Sequence, residues 1–408
     1  HPKGLPVSVS PQPRLWTRPY ALTLLSTLSF FGSFFYLISV LPKYVDEIGG
    51  SPFQIGLVVS AFAIVPLLTR PFVGRFADRG HRVRMMQIGV ASLVGSLALM
   101  SISEDIWSLF ALRVAQGIGM AMYPTAAGSM VAELSPLPRR GEGVGYFGMS
   151  SSAAQMIFPA LGVWMLGHWG FDLVFLVAAA TSAFTLLVVS TFHEPTPAVP
   201  VDKTAPHGQL LPRATIFPMA VFMTVTFAIG AATSFLPLLS DERDFGNVGM
   251  YFFFIGGVAV IGRPIAGRIS DRYGRAIIMA PALLAAVAGM IVLALAQTTE
   301  LMLLSGALGG VGLAGTHTGA FALSLDRVRD NQRGSATAIF QWAWDIGGIA
   351  SGPALGLVAS EFSTSAVFWT AAVIAAGGFV LLLYGHSVGW TRPLAASEKV
   401  APATDSAR

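Results

Sequence analysis

The sequence predicts an all-α membrane protein of twelve transmembrane helices in two pseudo-symmetric six-helix bundles, and three observations carry that prediction. The chain is too apolar for water, its apolar runs have the length of a bilayer crossing, and its basic residues gather on one side of those crossings.

Of 408 residues, 54% are hydrophobic and 11% charged, and the mean hydropathy is +0.66. A soluble domain carries roughly 25% charged residues, so less than half the usual supply is present to cover a water-facing surface. A spanning helix needs about 20 mostly apolar residues. Such runs lie near 17–41, 53–74, 83–103, 107–133, 142–167 and 171–192, and again near 214–240, 247–268, 275–297, 300–325, 334–360 and 364–386. The first begins near Trp16 and is too long for the core of a cleavable signal.

One long polar interruption, 193–213, is rich in Pro and holds His193, Glu194, Asp202, Lys203, His207 and Arg213. It reads as a linker. The expected organisation is a tail 1–15, a bundle 16–192, the linker 193–213, a bundle 214–386 and a tail 387–408.

Basic residues set the direction of the crossings. With a cytoplasmic N-terminus, the cytoplasmic segments and helix ends hold 22 of the 25 Lys and Arg, including Arg70 and Arg263 at helix ends. Lys43 and Arg243 fall outside, and Arg113 lies within a span. The net charge of +4 and pI near 9.5 are therefore a topology signal and give nucleic-acid binding no support. Both termini are expected in the cytoplasm of a cell whose inner membrane holds the chain. The chain has no cysteine, which excludes a disulfide framework and thiol chemistry.

Sliding the second half over the first by about 193 residues reveals a repeat. Arg70-Pro71, Gly74-Arg75 and Asp78-Arg79 land on Arg263-Pro264, Gly267-Arg268 and Asp271-Arg272. Gly117, Gly119, Ala121 and Thr125 land on Gly310, Gly312, Ala314 and Thr318, and Arg140-Gly141 on Arg333-Gly334. Phe147 matches Phe340, while Pro159 and Gly162 match Pro353 and Gly356 after a one-residue slip. Two like-oriented halves suit a rocking transporter, whose substrate site falls at their interface.

The segment from Gly74 to Arg82, Gly-Arg-Phe-Ala-Asp-Arg-Gly-His-Arg, resembles the signature loop of the major facilitator superfamily. Its second copy, Gly267 to Arg275, follows the usual GxxxDRxGR pattern more closely; the first has Gly80-His81 where that pattern has a variable residue and then Gly. The resemblance implies the major facilitator fold and a cytoplasmic gate made of Gly74, Asp78, Arg79 and Arg82 with Gly267, Asp271, Arg272 and Arg275. A glycine that ends a helix permits the tight turn, and the Asp can meet nearby Arg residues and the end of a neighbouring helix. Glu133 and Asp326, at repeat-related helix ends, are expected to pair with loop arginines.

Helix 4 reads Leu109-x-x-x-Arg113-x-x-Gln116-Gly117-x-Gly119-x-Ala121, which resembles the second signature of the drug:proton antiporters, whose Arg is implicated in proton coupling. Leu41-Pro42-Lys43-Tyr44 with Gly49, Ser51 and Gln54-Ile55-Gly56 resembles the same group. Bacterial sugar- and drug-efflux permeases look similar throughout 17–386. On helix 5 the chain departs from that pattern: Phe158 precedes Pro159 where the signature has Gly.

Ionisable groups in the bilayer core cost on the order of 2.5–3.5 kcal/mol on insertion scales, so the few present are informative. Arg113 on helix 4 and Asp345 on helix 11 are read as coupling or cavity groups, Asp345 as a proton carrier or cation-binding group. His317 on helix 10 titrates near neutral pH when unperturbed. Gln116 and Gln155 are uncharged cavity residues, and Tyr36, Phe158 and Trp342 are candidates for an aromatic pocket; Trp344 is read as helix packing. Each has a structural alternative, a buried hydrogen bond or a packing contact.

Two stretches match GxGxxG, Gly143–Gly148 and Gly310–Gly315, but neither follows a strand in a βαβ unit. No phosphate-binding GxxxxGK[ST], HExxH or GxSxG occurs, so no enzyme activity and no cofactor or metal is expected. The expected function is secondary active transport by alternating access: proton-coupled efflux of small amphipathic organic compounds. Proton symport of a sugar or organic acid, and lipid flipping, are the alternatives. Expected partners are the substrate, protons and membrane lipids, with the chain acting as a monomer.

Overall fold

The computed structural model describes residues 14–194, 211–245 and 248–392. The predicted tails and linker lie largely outside them. Among the described residues thirteen α-helices make twelve crossings. In the first half these are α1 (Arg18–Phe35), α2 (Leu37–Glu47), α3 (Pro52–Ser60), α4 (Ile64–Asp78), α5 (Arg82–Met100), α6 (Ile106–Leu134) and α7 (Arg140–Ser190). In the second half they are α8 (Arg213–Arg243), α9 (Gly249–Tyr273), α10 (Arg275–Leu295), α11 (Thr299–Asp326), α12 (Arg333–Glu361) and α13 (Thr364–Ser387).

Two crossings are interrupted. α1 and α2 form the first, broken at Tyr36, and it runs to Glu47, past the predicted end at 41. α3 and α4 form the second, joined by a 3-10 turn at Ala61–Ala63. Ser51 opens α3 with a capping box: its hydroxyl accepts from Gln54 N, and the Gln54 side chain accepts from Ser51 N.

α7 holds two crossings, because the chain reverses at Gly170, where φ is +80°. Contacts with the first crossing prove the reversal. The Tyr20 hydroxyl donates to Gly143 O and Tyr44 packs on Phe171 and Phe175, yet further along α7 Ser182 bonds Ser33 and Thr185 bonds Ser29. The chain has gone out along α1 and come back.

Among the described residues eight stretches are long and apolar enough to cross a membrane by length and composition, one of them, Leu137–Ser190, covering both arms of α7. The three crossings that fall short are α6, α11 and α12. They carry Arg113, Gln116, His317 and Asp345, and α11 is buried continuously from Gly312 to Asp326. These are helices shielded by protein rather than lipid, so they can be polar.

Glycines allow that shielding. A Cβ on Gly312 would meet Ala286 Cβ at 2.7 Å, and one on Gly315 would meet Ala282 Cβ at 2.6 Å. Within the second GxGxxG stretch Gly312 and Gly315 thus face α10 while Gly310 faces Ile255 and Val258 of α9, close packing that small residues permit in membranes.

Candidate functional site

The two halves meet along a seam that starts at the Arg-rich end of the bundle. There, two carboxylates are held by the opposite half. Asp78, the last residue of α4, accepts from the backbone N–H groups of Gly334 (2.6 Å) and Ser335 (3.0 Å) and from the Ser335 hydroxyl. Asp271 on α9 accepts from Gly141 N (2.7 Å) and Glu142 N (2.8 Å). Each carboxylate therefore sits on a helix N-terminus, that of α12 or of α7, where unpaired N–H groups and the helix dipole favour negative charge.

Gly74 and Gly267 make the approach possible. A Cβ on Gly74 would lie 2.7 Å from Ser335 Cα, and one on Gly267 would lie 2.8 Å from Glu142 Cα. Both glycines are inside helices, so the helix-ending role belongs elsewhere. Gly80 (φ +78°) and Gly274 (φ +103°) make the turns. The one-residue mismatch between the two signatures has a plain origin: α4 stops at Asp78, whereas α9 continues to Tyr273.

The arginines divide. Arg82 pairs with Glu133, and its backbone N–H donates to Glu194, which also accepts from Val83 N and so caps α5. Arg275 binds both Asp271 (2.6 Å) and Asp326 (2.8 Å). Arg79 and Arg272 do not join this network: both are exposed, Arg79 makes no ion pair among the described residues, and Arg272 lies over the neighbouring Tyr273 ring at 5.2 Å. Sequence reasoning gave Arg140, Glu142 and Arg268 no gate role, yet all three cross the seam or serve it. Arg140 reaches Asp326 at 2.9 Å, and Arg268 reaches Glu142 at 3.0 Å. The repeated Arg-Gly pair at 140 and 333 was the available signal. Its second copy behaves differently, since Arg333 pairs locally with Asp330.

Further along the seam lies Asp345. Arg70 on α4 donates Nε to Asp345 Oδ2 at 2.7 Å and Nη2 to Oδ1 at 3.1 Å, and Nη1 to Thr125 Oγ1 at 3.2 Å. Arg70 is 2% exposed, so the helix-end, topology-setting role read from the sequence is replaced by a buried ion pair between halves. Beside it, Trp342 Nε1 donates to Leu67 O. The repeat-related Arg263 is equally buried and reaches the other half differently, through Gly148 O (2.5 Å) and Ser151 Oγ (3.3 Å). Gln155, one turn beyond Ser151 on α7, is half-buried. Gly256 meets Met156 at this level.

Arg113 lies apart from this seam, within the first half. Its guanidinium donates to Val58 O (3.4 Å), Val59 O (2.9 Å) and Gln116 Oε1 (2.8 Å), between the rings of Phe34 (5.2 Å) and Phe62 (4.8 Å). Val58 and Val59 precede the 3-10 turn of the second crossing. Arg113 therefore engages carbonyls at that interruption, and the two ring faces lower the cost of its buried charge.

The aromatic residues form two separate groups. Tyr36 and Phe158 meet edge to face at 5.0 Å, and a Cβ on Gly32 would strike the Phe158 ring at 2.6 Å. Phe158, where the antiporter signature has Gly, thus fills the space left by Gly32 on α1. In the other half, His317 is enclosed by Phe222, Phe321, Phe340 and Trp344, with ring centroids 5.1–6.4 Å away. Trp344 is packing, as read from the sequence, and Trp342 points instead to α4.

Comparison with known proteins agrees with this architecture. The family model described as Major Facilitator Superfamily matches residues 22–299 and 248–405. A "Multidrug resistance protein MdtG" of Yersinia enterocolitica is 27% identical over 388 residues, 90% of this chain and 92% of that protein. Its namesake from Serratia proteamaculans is 26% identical over 392 residues, 90% and 93% of the two chains. Among solved structures, the human organic anion transporter MFSD10 (TETRAN) superposes with a TM-score of 0.77 at 18% identity, covering 91% of this chain and 100% of that one. FucP, in the outward conformation, gives 0.69 at 18%, covering 91% and 99%. With a duplicated six-crossing architecture and a family match over most of its length, the chain belongs to the Major Facilitator Superfamily.

Proposed function

We propose that this transporter exports small amphipathic organic compounds in exchange for protons. One observation carries the reading: the two halves are joined by charged groups from the Asp78 and Asp271 cradles up to Arg70–Asp345, and among the described residues only there does a largely buried carboxylate lie between the halves deep in the spans. In this reading the Arg-rich end, both termini and the linker 193–213 are cytoplasmic, with bundles 16–192 and 214–386, and the one-sided distribution of basic residues supports it. The arrangement then corresponds to a state closed to the cytoplasm and accessible from outside.

In this reading Asp345 is the proton acceptor. Protonation removes its charge from Arg70 and weakens the seam, so that the cytoplasmic side can open. Coupling requires substrate and proton to favour different states, which an ion pair spanning the moving interface provides. Arg113 and Gln116 hold the interrupted second crossing. Gln155, Trp342 and the Tyr36–Phe158 pair lie on or beside the route of substrate. The relatives named for multidrug resistance support export, and the chain works as a monomer in the inner membrane.

Reconstituted vesicles provide the test. Amphipathic dyes or drugs, anionic and neutral, and a pH-sensitive probe are followed on opposite sides of a sealed membrane. Substrate flux driven by an imposed pH gradient, with matching proton movement, is expected from the wild type. Flux indifferent to the gradient overturns the coupling.

A further inference from the structure

Arg70 and Arg263 are related by the internal repeat, but their surroundings are not equal. Arg70 has a hydroxyl from the α6 crossing, Thr125, and a carboxylate from the opposite half, Asp345. The repeat-related hydroxyl, Thr318, stands on α11 one turn beyond Ala314, against which Gly262 packs. Yet Thr318 Oγ1 is buried without a partner, and so is Arg263 Nε. Where the opposite half should supply a carboxylate, α7 carries Ser151 and Ser152. Ser151 Oγ lies 3.3 Å from Arg263 Nη1. Among the described residues no carboxylate comes within ion-pairing distance of Arg263, whose residue is 2% exposed.

That arrangement is costly as it stands. A buried charge with no opposite charge beside it, and buried polar atoms left without a partner, both weigh against the arrangement. His317, in the same half, also has an unpartnered buried Nδ1. The second copy keeps the guanidinium and the hydroxyl of the first and lacks only the anion.

We propose that this incomplete copy binds the carboxylate, or an equivalent singly charged anionic group, of a transported compound. Arg263 is the counter-ion, the unpartnered Thr318 hydroxyl is a neutral donor, and the Ser151 hydroxyl, which donates to Gly148 O, becomes a second donor on turning to the anion. The site lies on the seam between α9 and α7, so the motion that separates the halves opens it. The bound anion takes the place that Asp345 holds against Arg70, and gives the α7–α9 side of the seam the ion pair that the α4–α12 side already has. The inference deepens the transport reading by naming a substrate class. It rests on that reading for the route by which the anion arrives.

The test is equilibrium binding to the full-length protein in detergent, with no gradient, so its failure leaves transport itself untouched. The probes are 1-naphthoate and its neutral amide, 1-naphthamide, in buffers with and without sodium chloride. Naphthoate is expected to bind at least about tenfold more tightly, about 1.4 kcal/mol. The difference is expected to vanish in Ser151→Asp, which supplies an internal carboxylate, and in Arg263→Gln, which removes the cation. Either variant alone suffices if the other does not fold. Chloride that weakens naphthoate binding in the wild type, but not in Ser151→Asp, shows that free inorganic anions share the site. Chloride without effect assigns it to substrate-borne anions alone. Equal affinity for the two probes, or a preference that survives both variants, overturns the proposal.

Discussion

Arg70 and Asp345 close a bidentate ion pair from one half of the molecule to the other, at 2.7 and 3.1 Å. Paired geometry of this kind is strong and directional, and it joins two elements that alternating access must separate.

Removing one partner is therefore expected to cost more than removing both. Asp345→Asn leaves a buried guanidinium unpaired, a loss of about 3–5 kcal/mol. The double variant Arg70→Gln, Asp345→Asn is expected to recover part of that loss. Thermal or denaturant unfolding of the four proteins in one detergent closes the cycle. In vesicles, Asp345→Asn is expected to lose its response to an imposed pH gradient.

At the Arg-rich end, Asp78→Asn weakens three hydrogen bonds to a carboxylate. Such charge-assisted bonds contribute about 1.5–3 kcal/mol each, so the ratio of closed to open molecules is expected to fall at least about tenfold. The absence of cysteine makes labelling clean. Spin labels at Arg79→Cys and Asn331→Cys, exposed on either side of the seam, report the change as a longer distance.

Gly267→Val is expected to act on the same distribution by volume alone. The new side chain meets Gly141 and Glu142 backbone, and forcing bulk into a packed contact costs about 1–3 kcal/mol. The equivalent label pair across α9 and α7 is expected to separate, whereas Gly267→Ala separates it less.

Arg113→Lys is expected to behave like Arg113→Ala. The guanidinium serves three acceptors on two helices from between two rings, and an ammonium is a single point charge that cannot reproduce that fork. Both variants are expected to lose thermal stability by a similar amount. A lysine variant with wild-type stability assigns Arg113 to charge alone.

The fold was legible because lipid imposes few solutions. Twelve apolar runs, the charge bias and the 193-residue repeat fix the architecture without any side-chain geometry. The site was legible only in part, and for a physical reason. Asp78 and Asp271 announce themselves in a signature, but their partners are backbone N–H groups of Gly334, Ser335, Gly141 and Glu142, which any residue offers. Arg70 and Arg263 looked like topology signals because a charge near a helix end usually is one. Only the packing of α4 on α12 reveals that Arg70 is buried. Conversely, the signature names Arg79 and Arg272 as gate residues, and neither reaches a carboxylate of the seam, because both lie on the exposed side of their helix ends.

The single-residue reversal at Gly170 has a mechanical meaning. No loop separates the two arms of α7, so there is no slack to take up relative displacement between them. Whatever lifts Gly141 off Asp271 also carries Ser182 and Thr185, and through their hydroxyl bonds the serines of α1. The first, fifth and sixth crossings are therefore tied together along their length, by two hydroxyl bonds and by a connection one residue long.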